Sequence, residues 1–124
     1  MKIDFAIHKE LVMDALPTAF CHASTIIKLR SGGLLCCWFG GSHEGEADVA
    51  IYASRRDAAG WSAPVKLADG AEANWNPVLF YREDGTLLLF YKEGQQIAQG
   101  HQVHISYTFD RKNIAAVSLE AGKL

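Results

Sequence analysis

Short apolar runs separated by glycine turns set the pattern of this chain. Ile26-Ile27-Lys28-Leu29, the turn Arg30-Ser31-Gly32-Gly33 and the apolar run Leu34 to Phe39 form one such unit. Val78 to Tyr81, the turn Arg82-Glu83-Asp84-Gly85 and Thr86 to Tyr91 repeat it. Gly33 and Gly85 align at an offset of 52 (85 minus 33), and Ile26 with Val78, Arg30 with Arg82, Trp38 with Phe90 and Phe39 with Tyr91 keep the same offset. Strands of this length joined by Gly-Gly or Asp-Gly turns, recurring at such a period, are the pattern of a β-propeller blade. Propellers typically close with ~4–8 blades, and this chain has room for roughly two. The expected fold is all-β: about two blades of a larger, truncated propeller.

The rest of the chain extends that pattern. Ile3, Phe5 and Ile7 alternate with Asp4, Ala6 and His8 and predict a strand, followed by a short helical or irregular piece ending at Pro17. Ala23 to Leu29 and Leu34 to Phe39 predict the first hairpin, and a polar loop over 40–48 leads to a third strand, Val49 to Ser54. After the turn Asp57-Ala58-Ala59-Gly60, Trp61 to Leu67 predicts a fourth, outermost strand. A crossing over 68–76 reaches a second hairpin, Val78 to Tyr81 with Thr86 to Lys92, and Gln102 to Phe109 predicts its third strand. Beyond Asp110 the pattern fades, and Ala115 to Leu119 fits helix or strand. The expected organisation is an N-terminal segment (1–20), a first blade (21–67), a second, incomplete blade (68–110) and a divergent tail (111–124).

Composition excludes more than it assigns. At 49% hydrophobic residues the chain can supply a core. Its 12 basic and 14 acidic residues leave a net charge of −2 with no basic run, which argues against a nucleic-acid partner. No segment approaches the ~18 consecutive apolar residues of a membrane span. The N-terminus carries Asp4, His8, Lys9, Glu10 and Asp14, so it lacks the apolar stretch of a signal peptide, and a cytoplasmic location is expected. Cys21, Cys36 and Cys37 are odd in number, and two are neighbours in one strand, which does not suggest a disulfide framework.

Several ordered motifs carry a resemblance. Cys21-His22-Ala23-Ser24-Thr25, Trp38-Phe39-Gly40-Gly41-Ser42-His43-Glu44-Gly45, Asp48-Val49-Ala50-Ile51, Trp75-Asn76-Pro77-Val78-Leu79-Phe80 and Leu88-Leu89-Phe90-Tyr91-Lys92 occur in that order. Over roughly Phe20 to Ile97 the chain resembles the bacterial predicted sialidases, neuraminidase-like proteins of the BNR-repeat superfamily. The resemblance implies a propeller of about six blades, a carbohydrate substrate and no cofactor. It also implies an Asp-box, Ser-x-Asp-x-Gly-x-x-Trp, that locks a blade's last hairpin. Here Ser54 and Trp61 keep the outer spacing while Asp57 and Gly60 sit late, a degenerate box with a structural role. Sialidases begin an arginine cluster for the substrate carboxylate near Phe20-Cys21-His22, where this chain has no arginine. Their nucleophilic tyrosine comes from later blades, and after Ile97 the pattern breaks off, as a truncation or a shifted reading frame would make it do.

Candidate chemistry gathers at one end of the hairpins. His22 and His43 flank the hairpin from Ala23 to Phe39, and two imidazoles facing one pocket can divide acid and base work. Alternatively, His22 caps a strand and His43 is solvated. Glu44, Glu46 and Asp48 share the following loop, where a carboxyl can protonate a glycosidic oxygen; Asp48, anchored beside a strand, and Glu44 are favoured, against a merely hydrophilic loop. Asn74, Trp75 and Asn76 open the second blade at the corresponding place. Amides bond sugar hydroxyls and an indole stacks on a pyranose, but Trp75 in the core and Asn76 organising the turn before Pro77 is an equal reading. Tyr91 reads as core, Arg55-Arg56 as a solvated outer turn, and no metal site is predicted.

Three functions compete. One is a sialidase-like glycoside hydrolase acting on acidic glycans. The second is a polysaccharide lyase on a similar propeller, in which His22 and His43, 21 residues apart (43 minus 22), serve β-elimination. The third is a non-catalytic glycan-binding remnant, whose open sheet edges invite self-association. For the chain alone, inactivity is expected, with enzymatic activity belonging to the parent family.

Overall fold

Each apolar run of the repeat becomes a strand. The computed structural model describes residues 6–94 and the strand backbone over 115–119. Strand β1 spans Phe20–Lys28, β2 Leu34–Gly41, β3 Ala50–Asp57, β4 Gly60–Trp61 and β5 Val65–Ala68. Then come β6 (Asn74–Tyr81), β7 (Leu87–Glu93) and β8 (Ala115–Leu119). The first five form an antiparallel sheet in the order β1-β2-β3-β4, with β5 also paired to β3. The last three form a second antiparallel sheet, β6-β7-β8. The chain is thus all-β in two open sheets, and its described strands do not close into a ring.

Some expectations need correcting. The fourth strand expected over 61–67 is two short pieces, because Pro64 has no N–H for the ladder and separates β4 from β5. Residues 6–19 are irregular rather than a strand, and Ile7 and Leu11 are 83% and 78% exposed. The greater part of the strand expected through Ile3, Phe5 and Ile7 lies outside the described residues. Ala115–Leu119, open to either reading, is a strand on the edge of β7. The strand expected over 102–109 lies outside the described residues.

The repeat also has a different period. Ala23 and Asn76 both have positive φ (50° and 47°), each inside a β-bulge of its first strand, and they lie 53 apart (76 minus 23). Gly32 and Gly33 are both left-handed (φ 100° and 83°), and it is Gly32 N–H to Leu29 O that has its counterpart in Gly85 (φ 91°) N–H to Arg82 O, again 53 apart (85 minus 32). The turn bond Leu29 N–H to Gly33 O has its counterpart in Arg82 N–H to Thr86 O. Thr25 faces Cys37 as Val78 faces Phe90. The offset of 52 matches residue identities, Gly33 with Gly85 and Arg30 with Arg82; in space Thr86 holds Gly33's place. One residue matters because it exchanges the two faces of every strand.

The sheets bury one face each against the other. Leu35, Cys37 and Phe39 of β2, with Ile51 and Ala53 of β3, join Leu79 of β6 and Leu87, Leu89 and Tyr91 of β7 in one cluster. The alternation along β2 and β7 is the two-residue period of a strand. Arg30 clamps the turn ends together: its N–H donates to Tyr81 Oη at 3.0 Å, its guanidinium carbon lies 4.7 Å from that ring's centre, and Nη2 donates to the Arg82 carbonyl at 3.1 Å.

Candidate functional site

The bulges decide what the strand starts display. A bulge inserts one unpaired residue and re-aims its neighbours. His22 and Trp75 immediately precede the two bulges and are equivalent in the repeat (75 minus 22 is 53). Both lie at the sheet end where β2 finishes, β7 finishes and the loop 42–48 begins. The connection there is direct: Asn74 N–H donates to the Val49 carbonyl at 3.0 Å, and Gly94 N–H to the Ala73 carbonyl at 2.8 Å.

A row of rings spans the two sheets at this end. His22 lies 5.7 Å from Phe39 between ring centres, and Phe39 meets Trp75 edge-on at 5.4 Å. The Lys92 ammonium lies 5.8 Å from the Trp75 ring centre. Trp75, half-buried, lines a cleft of about 250 Å³ with Gly45 and Ala47 of the 42–48 loop, Glu72, Ala73 and Gly94. That volume lies below the ~300–1,000 Å³ of drug-sized ligand sites and suits one small polar ring.

The histidines and carboxyls share none of the three cavities that Trp75, His22 and Asp48 line. His22 is exposed and lines a different cavity, about 280 Å³, with Met13, Cys21, Cys36 and Trp38. His43 is exposed in its loop, with Nδ1 3.1 Å from the Glu44 carbonyl oxygen. Neither His43 nor Glu44 lines that cavity or the Trp75 cleft. Asp48 accepts from the Ser42 N–H through both carboxylate oxygens (3.3 and 3.2 Å) and so closes the loop. It lines a third cavity, about 400 Å³, with Thr18, Tyr52 and Lys66. Gly41 sits close under this carboxylate: a Cβ there would come within 2.9 Å of Asp48 Oδ1.

Asn74, Trp75 and Asn76 divide as well. Asn74 is fully buried, with its side-chain amide unbonded in both donor and acceptor, so it does not present that amide to solvent. Asn76 holds the left-handed bulge position that asparagine tolerates better than most residues, ahead of the buried Pro77. Trp75 alone of the three faces a cleft. Lys92, Tyr52 and Lys66 were not readable as site residues. Lys92 is a charged residue in an otherwise apolar run, a signal that only the fold connects to Trp75.

The remaining candidates hold structure. Tyr91 is buried, and burial pushes its phenol above the usual range. Arg55 Nη2 donates to Ser31 Oγ at 3.2 Å. Arg56 pairs with Glu10, which also accepts from Trp61 Nε1 at 3.0 Å. The degenerate box acts as a lock: buried Ser54 donates from Oγ to the Ser62 carbonyl at 2.6 Å, and Asp57 Oδ1 accepts from Ala59 N–H at 2.8 Å. Among the described residues no three His, Cys, Asp or Glu side chains gather as a metal site, and no helix is long and apolar enough to cross a membrane.

The two sheets and the hairpin lock agree with what comparison with known proteins returns. No curated protein and no solved structure matches the chain. One family model, described as a BNR repeat-like domain, matches residues 32–117, which takes in β2 to β7 and most of β8. The chain belongs to the BNR repeat-like domain family, a carbohydrate-associated family.

Proposed function

We propose that this chain is a sialidase-like carbohydrate-binding protein that holds one sugar unit of an acidic glycan in the Trp75 cleft and does not cleave it alone. The observation that carries the reading is the half-buried indole at the cleft between the 42–48 loop and β6. An indole face and edge suit the C–H surface of a pyranose, while Lys92 is buried behind the ring and does not line the cleft. The sialidase resemblance supplies the substrate class.

Binding is favoured over hydrolysis because the acid candidate and the platform look into different cavities. Asp48 lines the cavity with Tyr52 and Lys66, while Trp75 lines the other. Sialidases pair their acid with a tyrosine nucleophile rather than a second carboxylate, and the Trp75 cleft is lined by neither a tyrosine nor Asp48. The lyase reading needs His22 and His43 at one pocket, and His22 lines a cavity that His43 does not. Titration of the chain with sialyllactose and with lactose, followed by saturation-transfer NMR, tests the reading. Contact with the sialylated sugar that is lost in Trp75→Ala is expected, with no release of fluorophore from a fluorogenic sialoside. Equal signals in Trp75→Ala and the parent chain would sink the assignment.

A further inference from the structure

We propose that a second copy of this chain docks on the open face of β6, seating the outer face of its own β1 there. The stacking would repeat, between copies, the β1–β6 part of the contact that joins the two sheets inside one chain. This inference rests on the repeat geometry and not on the glycan reading.

The two sheets of one chain meet through non-equivalent faces. Ile27 of β1 and Leu79 of β6 both pack in the intervening core. At the observed period of 53, Ile27 corresponds to Phe80 (80 minus 27) and Leu79 to Ile26 (79 minus 26). The face of β6 that carries Phe80 is therefore the repeat equivalent of the β1 face already buried. The face of β1 that carries Ile26 is likewise the equivalent of the β6 face already buried. On β1 and β6 these two faces are left over, one at each side of the pair, and the repeat makes each the counterpart of a face already in contact.

Their surfaces agree with that assignment. Ile26 is 57% exposed, Phe80 48% and Val78 38%. Val78 is the equivalent of Thr25 (78 minus 25), which is half-buried on the core side of β1. The strip is limited to the first strands, since Leu88 and Phe90 of β7 are already buried, and Val12 and Met13 line a cavity with Cys36 and Trp38 on the β2 side.

Charge supplies the polar half of the contact. Inside the chain Arg30 grips Tyr81. The equivalent of Arg30 is Glu83 (83 minus 30 is 53), and the equivalent of Tyr81 is Lys28 (81 minus 28 is 53). Both are exposed. Between copies the clamp becomes Glu83 of one against Lys28 of the next, a pair of opposite charge. Because the two faces differ, the contact is head-to-tail, and repetition either closes a ring or extends a chain.

Sedimentation velocity of the 124-residue chain over a concentration series tests this. Oligomers larger than a dimer are expected to grow in with concentration. Ile26→Glu and Phe80→Glu, each checked for an unchanged far-UV spectrum, are expected to be monomeric. Mixed together they are expected to give a one-to-one dimer and nothing larger, since each retains one intact face. Glu83→Lys and Lys28→Glu should each weaken association, and the double exchange should restore it. A parent chain that stays monomeric throughout, or a mixture of the two face variants that gives no dimer, overturns the proposal.

Discussion

Leu79→Ala and Phe80→Ala, adjacent on β6, separate the buried from the open side of the second sheet. Leu79 is 8% exposed between the sheets and Phe80 is 48% exposed on the opposite face. Truncating Leu79 removes three buried carbons at about 0.8 kcal/mol each, roughly 2.4 kcal/mol. Incomplete collapse of the cavity raises the total to about 3 kcal/mol. Phe80 loses more atoms, but only about half of its surface is out of water and its truncation leaves a dent rather than a cavity. Its cost is about 1 kcal/mol, half of the ~1.5–3 kcal/mol for a fully buried side chain. Urea unfolding followed by circular dichroism, at concentrations where each variant sediments as a monomer, measures both. With a slope of about 2 kcal/mol per molar, the Leu79 variant should lose about 1.5 M of midpoint and the Phe80 variant about 0.5 M. If the smaller side chain proves the cheaper to remove, β6 is in the other register and the face assignment fails.

Three further outcomes follow from named contacts. Glu10 is held down to about 2, first by its bond to Arg56 and then by His8, with smaller help from Trp61. A depressed carboxyl contributes stability above its unfolded value of 4.5, and loses it as pH falls toward about 2. Acid titration of the parent chain and Glu10→Gln should therefore diverge at neutral pH and converge across that window; parallel curves would refute the pairing. Ser54→Ala removes the donor to the carbonyl of exposed Ser62 and should cost about 0.5–1.5 kcal/mol in the same urea assay, and Ser62→Ala, which keeps that bond but removes the acceptor of the Arg55 N–H, should cost no more; no loss in Ser54→Ala would refute the lock. Of the three cysteines, exposed Cys21 should react fast with a disulfide reagent. Buried Cys37, pushed up to about 12 mainly by burial, should react only in denaturant, and a native fast phase that survives Cys21→Ser would contradict the fold.

Hairpins were legible because their signal is local. The turn Arg82-Glu83-Asp84-Gly85 between two apolar runs predicts its own pairing, and the observed strands begin and end within a few residues of the expected ones. Pro64 is just as local, yet the break it makes depends on whether the outer strand needs that N–H. The candidate site was less legible. His22 and His43 flank one hairpin in sequence, but the bulge at Ala23 turns the strand start, and His22 comes to rest on Phe39. Asn74 and Trp75 are neighbours of similar promise, and only the sheet packing decides that the amide is buried while the indole borders a cleft.

The period shows most sharply what identity matching leaves out. Aligning glycine with glycine and arginine with arginine gives 52, and it makes Ile27 equivalent to Leu79, two residues that share one core. Equivalent faces in contact describe a two-fold sandwich, which uses up its complementary surfaces and leaves nothing to stack on. The backbone gives 53: left-handed Ala23 with Asn76, Gly32 with Gly85, and the same pair of turn bonds in each hairpin. At that period the sheets meet by unlike faces, so each added sheet would present the same face to the next. The two descriptions part at Ile26 and Phe80. A sandwich leaves these side chains, 57% and 48% exposed, as ordinary surface residues, whereas an array of stacked sheets buries them.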